Sequence, residues 1–392
     1  DTITVDFGEG LALSAEGTPI YVAVPAGEHG TIAVTLRTAT DAMLVKFSSY
    51  DNAAIKAGYV REFAPFTYVA TEAESEEFLI TTKEDLIRFA QIAETFYPRT
   101  TAKLAGQIDM TGEDWTPIEN FANFTFDGNK ENGCYIKGLS APLFGITEAN
   151  IKNLKLVDVD MTIPVSENTA IGAIAYRVNN GALVNCEATG KLVINYNIPA
   201  SFFGGLVGVC SRSDFSHNVS HIDITVNGSV TAPKDETLRV GGLAGVITYP
   251  TATTVEKCYN YGDVVVTGDI DRISGGGIIG FTDAPTHIED CHNEGFMHLA
   301  ANVNGDAYSA FTGFVGQIHS WSKDDSQVFS ATNCTNRGNV LFGTPGGEDV
   351  TPTMGKSIQY VQMSGMIGYT RNVDVNPYTV KVNNCQNYGN VE

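Results

Sequence analysis

Basic residues and long apolar runs are scarce in this chain of 392 residues. Lys and Arg together number 24 against 45 Asp and Glu, so the formal net charge is −21. A surface with that charge repels a phosphate backbone, and nucleic acid is therefore excluded as an expected partner. No apolar run reaches the roughly 18 residues that a membrane-spanning helix needs, so the sequence contains no candidate transmembrane segment.

Closely spaced cysteine pairs are also absent. The seven cysteines include no C-x-x-C pair, which argues against a zinc site. Glycine, in contrast, is abundant: 40 glycines indicate many short strands joined by tight turns. Hydrophobic residues make up 43% of the chain, so we expect it to fold.

A cysteine phrase recurs along the second half of the chain. It occurs as CYNYGDVVV from Cys258, CHNEGFMHL from Cys291, CTNRGNVLF from Cys334 and CQNYGNVE from Cys385. The earlier stretches 183–194 and 215–226 align with it and place Cys186 and Asn218 at the same position. A short glycine-flanked strand such as GLAG or GIIG precedes each copy. Such self-similarity at a nearly constant period predicts a stack of repeats.

Each repeat presents one small, inward-facing side chain after another. Side chains alternate between the two faces of a strand. The residues that share the face of the cysteine in this phrase are therefore an asparagine two positions later and a glycine four positions later. Stacked coils place equivalent residues about 4.8 Å apart. The sequence therefore predicts an internal column of small side chains and a second column of hydrogen-bonded amides. The first column comprises Cys186, Asn218, Cys258, Cys291, Cys334 and Cys385, and the second comprises Asn260, Asn293, Asn336 and Asn387.

The predicted fold class is all-β. It is a parallel, right-handed β-helix of about seven coils, one per repeat, capped by one short α-helix and preceded by a small antiparallel β-sandwich. We assign residues 1–77, with an acidic linker at 70–77, to the sandwich domain and residues 78–392 to the β-helix. Thr81 and Glu84 have the spacing of a capping box at the start of the helix.

The repeat resembles a known family. GGLVG, GGLAG and GGIIG followed by C-x-N-x-G are similar to the GLUG-type repeats of bacterial surface proteins, and YVAVPAG at 21–27 resembles fimbrillin-like β-sandwich domains. The resemblance implies an exported protein of the cell surface or outer membrane, lipid-anchored or pilus-associated, that acts as an adhesin or pilus subunit. It implies host or microbial glycans, surface proteins or other pilus subunits as partners. Any export signal or anchor is expected outside this chain.

The candidate binding residues lie on the outward face of the cysteine-phrase strands. Tyrosines beside polar groups suit contacts with carbohydrate or protein, although an ordinary solvated sheet face has the same pattern. A long insertion at 318–331 adds an aromatic residue that we expect to be exposed. The candidates are Tyr259, Tyr261, His292, Glu294, Arg337 and Tyr388 on the strands, and Trp321 in the insertion.

Two other function classes stay open. Parallel β-helices include polysaccharide lyases and hydrolases, which use clustered carboxylates, often with Ca²⁺. Asp269, Asp271 and Arg272, in a predicted loop, are the nearest such pattern, and Asp283 and Asp290 follow. No motif supports Ca²⁺ or any other cofactor, so we expect a protein that is not an enzyme and holds no cofactor. A structural spacer without a ligand is the other alternative.

Overall fold

Parallel β-strands dominate the fold. The computed structural model of the chain describes residues 14, 18–21, 23, 31–37, 41–48, 71–72, 77–93, 101–120, 124–165, 169–198, 201–230, 237–248, 253–283, 286–304, 309–320, 328–343, 361–372 and 379–392. Four long sheets run through residues 77–392, and the chain visits sheets 1 to 4 in the same order in each complete coil.

Sheets 1 and 2 are formed by the glycine-flanked strands. The six strands of sheet 1 are Ala170–Ile171, Ser201–Gly204, Thr237–Gly241, Arg272–Gly276, Ser309–Thr312 and Val361–Ser364. The eight strands of sheet 2 are Ile118–Asn120, Phe144–Thr147, Ala175–Asn179, Val207–Ser211, Ala244–Thr248, Ile279–Asp283, Val315–Ser320 and Ile367–Asn372.

Sheets 3 and 4 lie before and after the cysteine positions. The ten strands of sheet 3 are Glu77–Ile80, Thr101–Leu104, Thr125–Asp127, Asn150–Lys152, Ala182–Val184, Asp214–Ser216, Thr253–Glu256, Thr286–Glu289, Val328–Thr332 and Thr379–Asn383. The twelve strands of sheet 4 are Gln107–Asp109, Tyr135–Lys137, Lys155–Val165, Glu187–Tyr196, Val219–Ser229, Tyr259–Asn260, Val264–Ile270, His292–Asn293, Met297–Val303, Thr335–Asn336, Val340–Phe342 and Gln386–Asn387.

The register places equivalent residues of successive coils side by side. Val207 is paired with Ala244, Ala244 with Ile279, and Ile279 with Val315, all in parallel. The apolar side chains that face inward form one continuous core from Ile80 to Val340. These features confirm the predicted parallel β-helix.

One α-helix, Lys83–Ile92, precedes the second coil. Its N-cap is Thr82, whose side chain accepts from the Asp85 backbone while the Asp85 carboxylate accepts from the Thr82 backbone. The capping box predicted at Thr81 and Glu84 was therefore wrong by one residue. The preceding strand, Glu77–Ile80, pairs with sheet 3 and fixes where the helix begins.

The helix covers the apolar interior of the first coils, as predicted. Leu86, Phe89 and Ala93 are fully buried. The Phe89 ring lies 5.7 Å from the Phe124 ring and 5.6 Å from the Phe126 ring, centroid to centroid. Packing of one apolar stripe stabilises a helix that is too short to be stable alone.

The described part of the N-terminal region contains a three-stranded antiparallel sheet. Its strands are Thr31–Arg37, Asp41–Ser48 and Thr71–Glu72. Residues 70 and 73–76 of the acidic linker predicted at 70–77 lie outside the described residues, so the linker and the domain boundary stay predictions.

Asparagine side chains form a continuous hydrogen-bonded ladder inside the coils. Asn260 donates to Asn293, Asn293 to Asn336 and Asn336 to Asn387, each from Nδ2 to Oδ1 over 2.7–2.8 Å. Each amide also donates to the carbonyl of the glycine two residues later. The ladder begins at Asn260 because Ser220 occupies this position in the preceding coil. Among the described residues, Asn260 Oδ1 consequently has no donor.

Five of the seven cysteines form a neighbouring column of free, mostly buried thiols. The backbone N–H of Cys186 donates to Asn218 Oδ1 over 3.0 Å, so an asparagine is accommodated in this column too. The Cys258 thiol donates to the carbonyl two residues earlier, as does that of Cys291. Burial raises the pKa of the Cys186 thiol to about 12 and also raises the pKa of Cys291. These thiols therefore stay protonated and unreactive at neutral pH.

The corner between sheets 3 and 4 uses a left-handed residue in every repeat. φ lies between 50° and 57° at the residue before Leu154 and at the residue before each of the six members of the cysteine column. The N–H groups of the first six donate to carbonyls of the next coil, as in Lys257 to Glu289 over 3.0 Å. Asparagine tolerates this conformation better than other side chains. The seven residues are Asn153, Asn185, His217, Lys257, Asp290, Asn333 and Asn384.

Sheets 1 and 2 pack against each other backbone to backbone on the faces opposite the main core. A β-carbon built on Gly245 would lie 2.7 Å from the Phe203 nitrogen, and one on Gly280 would lie 2.7 Å from the Val240 nitrogen. Real β-carbons do not approach that closely, so the last glycine of the GLAG and GIIG strands is required by this contact. We call this contact region the seam.

Asn293→Ala should lower the free energy of unfolding by about 3 kcal/mol. The change removes the donor of Asn336 Oδ1 and of the Gly295 carbonyl, and a buried group without a partner costs about 1–3 kcal/mol. Urea denaturation followed by far-UV circular dichroism measures the difference. Glu294→Ala, at the exposed neighbouring position, is the control and should cost about 1 kcal/mol or less. Equal losses would contradict a stabilising role for the ladder.

Lys257→Asn should stabilise the protein by about 0.5–1 kcal/mol. Lysine at φ 50° is strained, and asparagine relieves part of that strain. Lys257→Ala removes the same charge without a preference for the left-handed region, and it should give no such gain. Both variants can be compared by thermal unfolding. A rise in Tm for the alanine variant as large as for the asparagine variant would show that charge, not backbone conformation, is responsible.

Candidate functional site

The structure places the predicted binding residues in two adjacent rows on the outside of sheet 4. In the first row, Tyr259 is paired with His292, and His292 with Thr335. The second row follows two residues later along each strand and comprises Tyr261, Glu294, Arg337 and Tyr388, whose N–H groups each donate to the preceding coil. We call the six predicted residues the sheet 4 face: Tyr259, Tyr261, His292, Glu294, Arg337 and Tyr388.

Aromatic rings stack along this face. The Tyr261 ring lies 4.7 Å from the His221 ring with only 8° between their planes. The Tyr259 ring lies 5.2 Å from the His292 ring at 30°. The sequence analysis missed His221, although alignment of 215–226 with 255–266 places it at the position of Tyr261. That alignment was the signal that could have identified it.

Hydrogen bonds and a cation–π contact fix the polar side chains of the sheet 4 face. Arg337 Nη1 donates to Glu294 Oε1 over 3.0 Å, and the guanidinium carbon lies 5.8 Å from the centre of the Tyr388 ring. His292 Nδ1 lies 2.5 Å from Thr335 Oγ1. Tyr261 and Tyr388 remain 42% and 61% exposed. The face thus offers exposed ring surfaces beside oriented polar groups.

The electrostatics keep the His292 ring uncharged at neutral pH. Partial burial lowers its pKa, and the positive charge of Arg337 lowers it further. Burial also raises the pKa of Tyr259, so its phenol stays protonated. Since the charges of Arg337 and Glu294 offset each other, the described part of this face contains polar donors and acceptors with little local charge.

Half of the insertion at 318–331, including Trp321, lies outside the described residues. Residues 321–327 are among those not described, so the position of Trp321 relative to the sheet 4 face stays a prediction.

The acidic residues of the enzyme alternative are distributed over different corners of a coil. Asp283 acts electrostatically on Arg239, whereas Asp290 acts on Tyr259 and His292 at the corner between sheets 3 and 4. Within the described ranges, no group of three or more His, Cys, Asp or Glu side chains is arranged to hold a metal ion.

The segment DIDR is not the loop that was predicted. Asp269 is the penultimate residue of the sheet 4 strand Val264–Ile270 and accepts from Asn302 over 3.0 Å, and Arg272 begins a strand of sheet 1. Asp271, alone between the two strands, is fully buried. The short polar segment was mistaken for a loop because the chain turns from one sheet to the next within a single residue.

Comparisons with known proteins assign the chain to no family. No family model and no curated protein matches the chain. A solved structure from Bacteroides ovatus, described as a candidate immunoglobulin A1 protease, is similar over 74% of this chain and 84% of its own length. The sequence identity is 20% and the TM-score is 0.44. At that level the likeness carries no argument about activity, and the resemblance to GLUG-type and fimbrillin-like families stays a prediction.

The helix in the described part of the chain is too short and too polar to cross a bilayer.

Arg337→Ala should raise the pKa of His292 towards the ordinary value of about 6.5. The substitution removes a positive charge that disfavours the imidazolium, and the pKa can be followed by an NMR pH titration of the ring protons, assigned with His292→Asn. Lys155→Ala, distant on the same sheet, is the control and should leave this pKa unchanged. An unmoved His292 pKa in Arg337→Ala would refute the coupling.

The lowered pKa of His292 also determines the direction in which stability changes with pH. The unfolded chain binds a proton at His292 more readily than the folded chain, so the residue reduces stability as the pH falls below about 6.5. The reduction is complete once the pH lies below the folded pKa. His292→Asn should therefore flatten the stability profile in this range.

Proposed function

We propose that this chain is a non-enzymatic binding protein of the cell surface, an adhesin or a pilus-associated subunit, that binds an uncharged glycan on the sheet 4 face. The observation that carries the proposal is that Tyr259, Tyr261 and Tyr388 lie half-buried or exposed on one sheet, each stacked on or beside a ring or guanidinium of a neighbouring coil. Aromatic surface beside fixed polar groups is the usual composition of a sugar-binding surface.

The β-helix supports binding by holding these side chains in fixed positions. Tyr261, Glu294, Arg337 and Tyr388 are each attached by a backbone hydrogen bond to the preceding coil. Tyrosine has few rotatable bonds, so it offers a large contact area at a low entropic cost. A preorganised surface loses less conformational entropy on binding than a flexible one.

The local charge favours an uncharged partner over an acidic one. Arg337 is paired with Glu294, and His292 is neutral near pH 7, so the face holds no free cation for an acidic sugar. The chain as a whole carries −21 charges, which opposes the approach of polyanions. Neutral polysaccharides and oligosaccharides are therefore the preferred class, ahead of surface proteins.

Binding of the full chain to an array of neutral glycans, acidic glycans and matrix proteins tests this function. Tyr261→Ala and Tyr388→Ala should each raise Kd about tenfold, because removing a central aromatic contact typically costs more than about 1 kcal/mol. Tyr135→Ala is the matched control, since Tyr135 lies on the same sheet in an early coil, hydrogen-bonded to Gln107.

Three other results would replace the proposal. A folded protein that binds no member of the array would favour the structural spacer. Release of products from a uronate polymer would favour the polysaccharide-active enzyme. Saturable binding that is unchanged in both tyrosine variants would move the binding surface away from the sheet 4 face.

A further inference from the structure

The seam between sheets 1 and 2 contains a second apolar cluster, separate from the main core. Ala170 and Phe202 of sheet 1 pack against Val209, Val246 and Phe281 of sheet 2. The glycine contacts at Gly245 and Gly280 close the bottom of the seam, so nothing penetrates it from that side. Its accessible edge is the outer one, where the side chains become half-buried.

Three half-buried arginines lie at this edge, and aromatic rings hold two of them. The guanidinium carbon of Arg239 lies 5.2 Å from the centre of the Phe202 ring and 4.2 Å from that of Phe281. Arg177 lies over the same Phe202 ring at 5.6 Å. Arg272 begins the next strand of sheet 1, and its charge acts on Arg239.

In the part of the chain that the structure describes, these arginines form no close ion pair with a carboxylate. None of the ion pairs found among the described residues includes Arg177, Arg239 or Arg272, whereas Arg337 on sheet 4 is paired with Glu294. The Nε atoms of Arg239 and Arg272 are buried and have no acceptor in the described part of the chain. Asp283 is the carboxylate that acts on Arg239, and it already accepts from the Thr248 hydroxyl.

Two buried Nε donors that lack an acceptor among the described residues need an explanation in a chain with such an excess of acid. Burial lowers the pKa of both Arg177 and Arg239, which shows that the surroundings disfavour their charge. Arginine nevertheless stays protonated at physiological pH. A buried donor without a partner costs free energy, and an anion that supplied two acceptor oxygens would remove that cost.

Cation–π stacking alone accounts for only part of this arrangement. Stacking on Phe202 and Phe281 fixes the plane of the Arg239 guanidinium but satisfies none of its N–H groups. Planar, oriented guanidinium groups are the preferred partners of carboxylates, which they bind through two parallel hydrogen bonds. The half-buried Phe202 ring beside them adds an apolar surface for the body of a ligand.

We propose that the outer edge of the seam is a binding site for the carboxylate of an acidic sugar. Arg239 and Arg272 bind the carboxylate, Arg177 contributes positive potential, and the Phe202 ring contacts the sugar ring. Because the glycine contacts close the seam beneath these residues, the site takes a group that projects from a chain and not a chain that lies along it. This site is distinct from the sheet 4 face, which we assign to uncharged glycans.

Isothermal titration of the full chain with glucuronic acid tests the proposal, with glucose and a glutamate-containing tripeptide as comparison ligands. Glucuronic acid should bind saturably, and glucose should not bind. Arg239→Met, which keeps much of the stacked apolar volume, should weaken binding more than about tenfold. Arg272→Gln should weaken it as well, and it keeps the experiment informative if Arg239→Met fails to fold.

Arg337→Ala is the matched control, because it removes an exposed arginine from another sheet and should leave glucuronic acid binding unchanged. Tyr261→Ala should also leave it unchanged, so failure of this site and failure of the sheet 4 face can be told apart. The proposal is overturned if the wild-type chain does not bind glucuronic acid, or if Arg239→Met and Arg272→Gln bind it as tightly as the wild type. Equal affinity for the tripeptide would overturn the assignment to a sugar.

Discussion

Each inward side chain of this β-helix has its own equivalent in the next coil as a neighbour, only about 4.8 Å away. Equal charges at that distance repel, so an inward position must hold an apolar group or one that pairs with a copy of itself. An amide is both donor and acceptor, and the asparagine ladder from Asn260 to Asn387 uses both functions. A small thiol is the other solution. This constraint explains why the cysteine phrase varies so little inside the coil.

The same register also brings outward side chains of successive coils together, and there it allows many kinds of residue pair. Outward residues one coil apart also meet, and the stacked pairs Tyr259–His292 and Tyr261–His221 result from it. Opposite charges in neighbouring coils form ion pairs for the same reason, as Arg337 and Glu294 do. The surface chemistry of sheet 4 is therefore set by which residues occupy one row, more than by their order along the chain.

Much of this architecture could be predicted from the sequence because alternation along a strand is a local property. The period of two identified both inner columns and the sheet 4 face. Features that depend on where two elements meet were harder to predict. The helix cap moved from Thr81 to Thr82 because pairing of Glu77–Ile80 with another strand decides where the helix begins. The seam was missed because the glycines were attributed to turns, whereas Gly245 and Gly280 allow two backbones to touch.

The arginines of the seam could not be grouped from the sequence, since Arg177 and Arg239 belong to different sheets and occupy different positions of the repeat. Their location also bears on how an acidic protein can bind an acid. Physiological salt screens charges beyond roughly 8 Å in solvent, so most of the −21 charges weaken only the approach of an anion. At the seam itself, low polarity strengthens the local attraction of each guanidinium. Selectivity for a carboxylate therefore depends on the few residues that contact it and not on the charge of the whole chain.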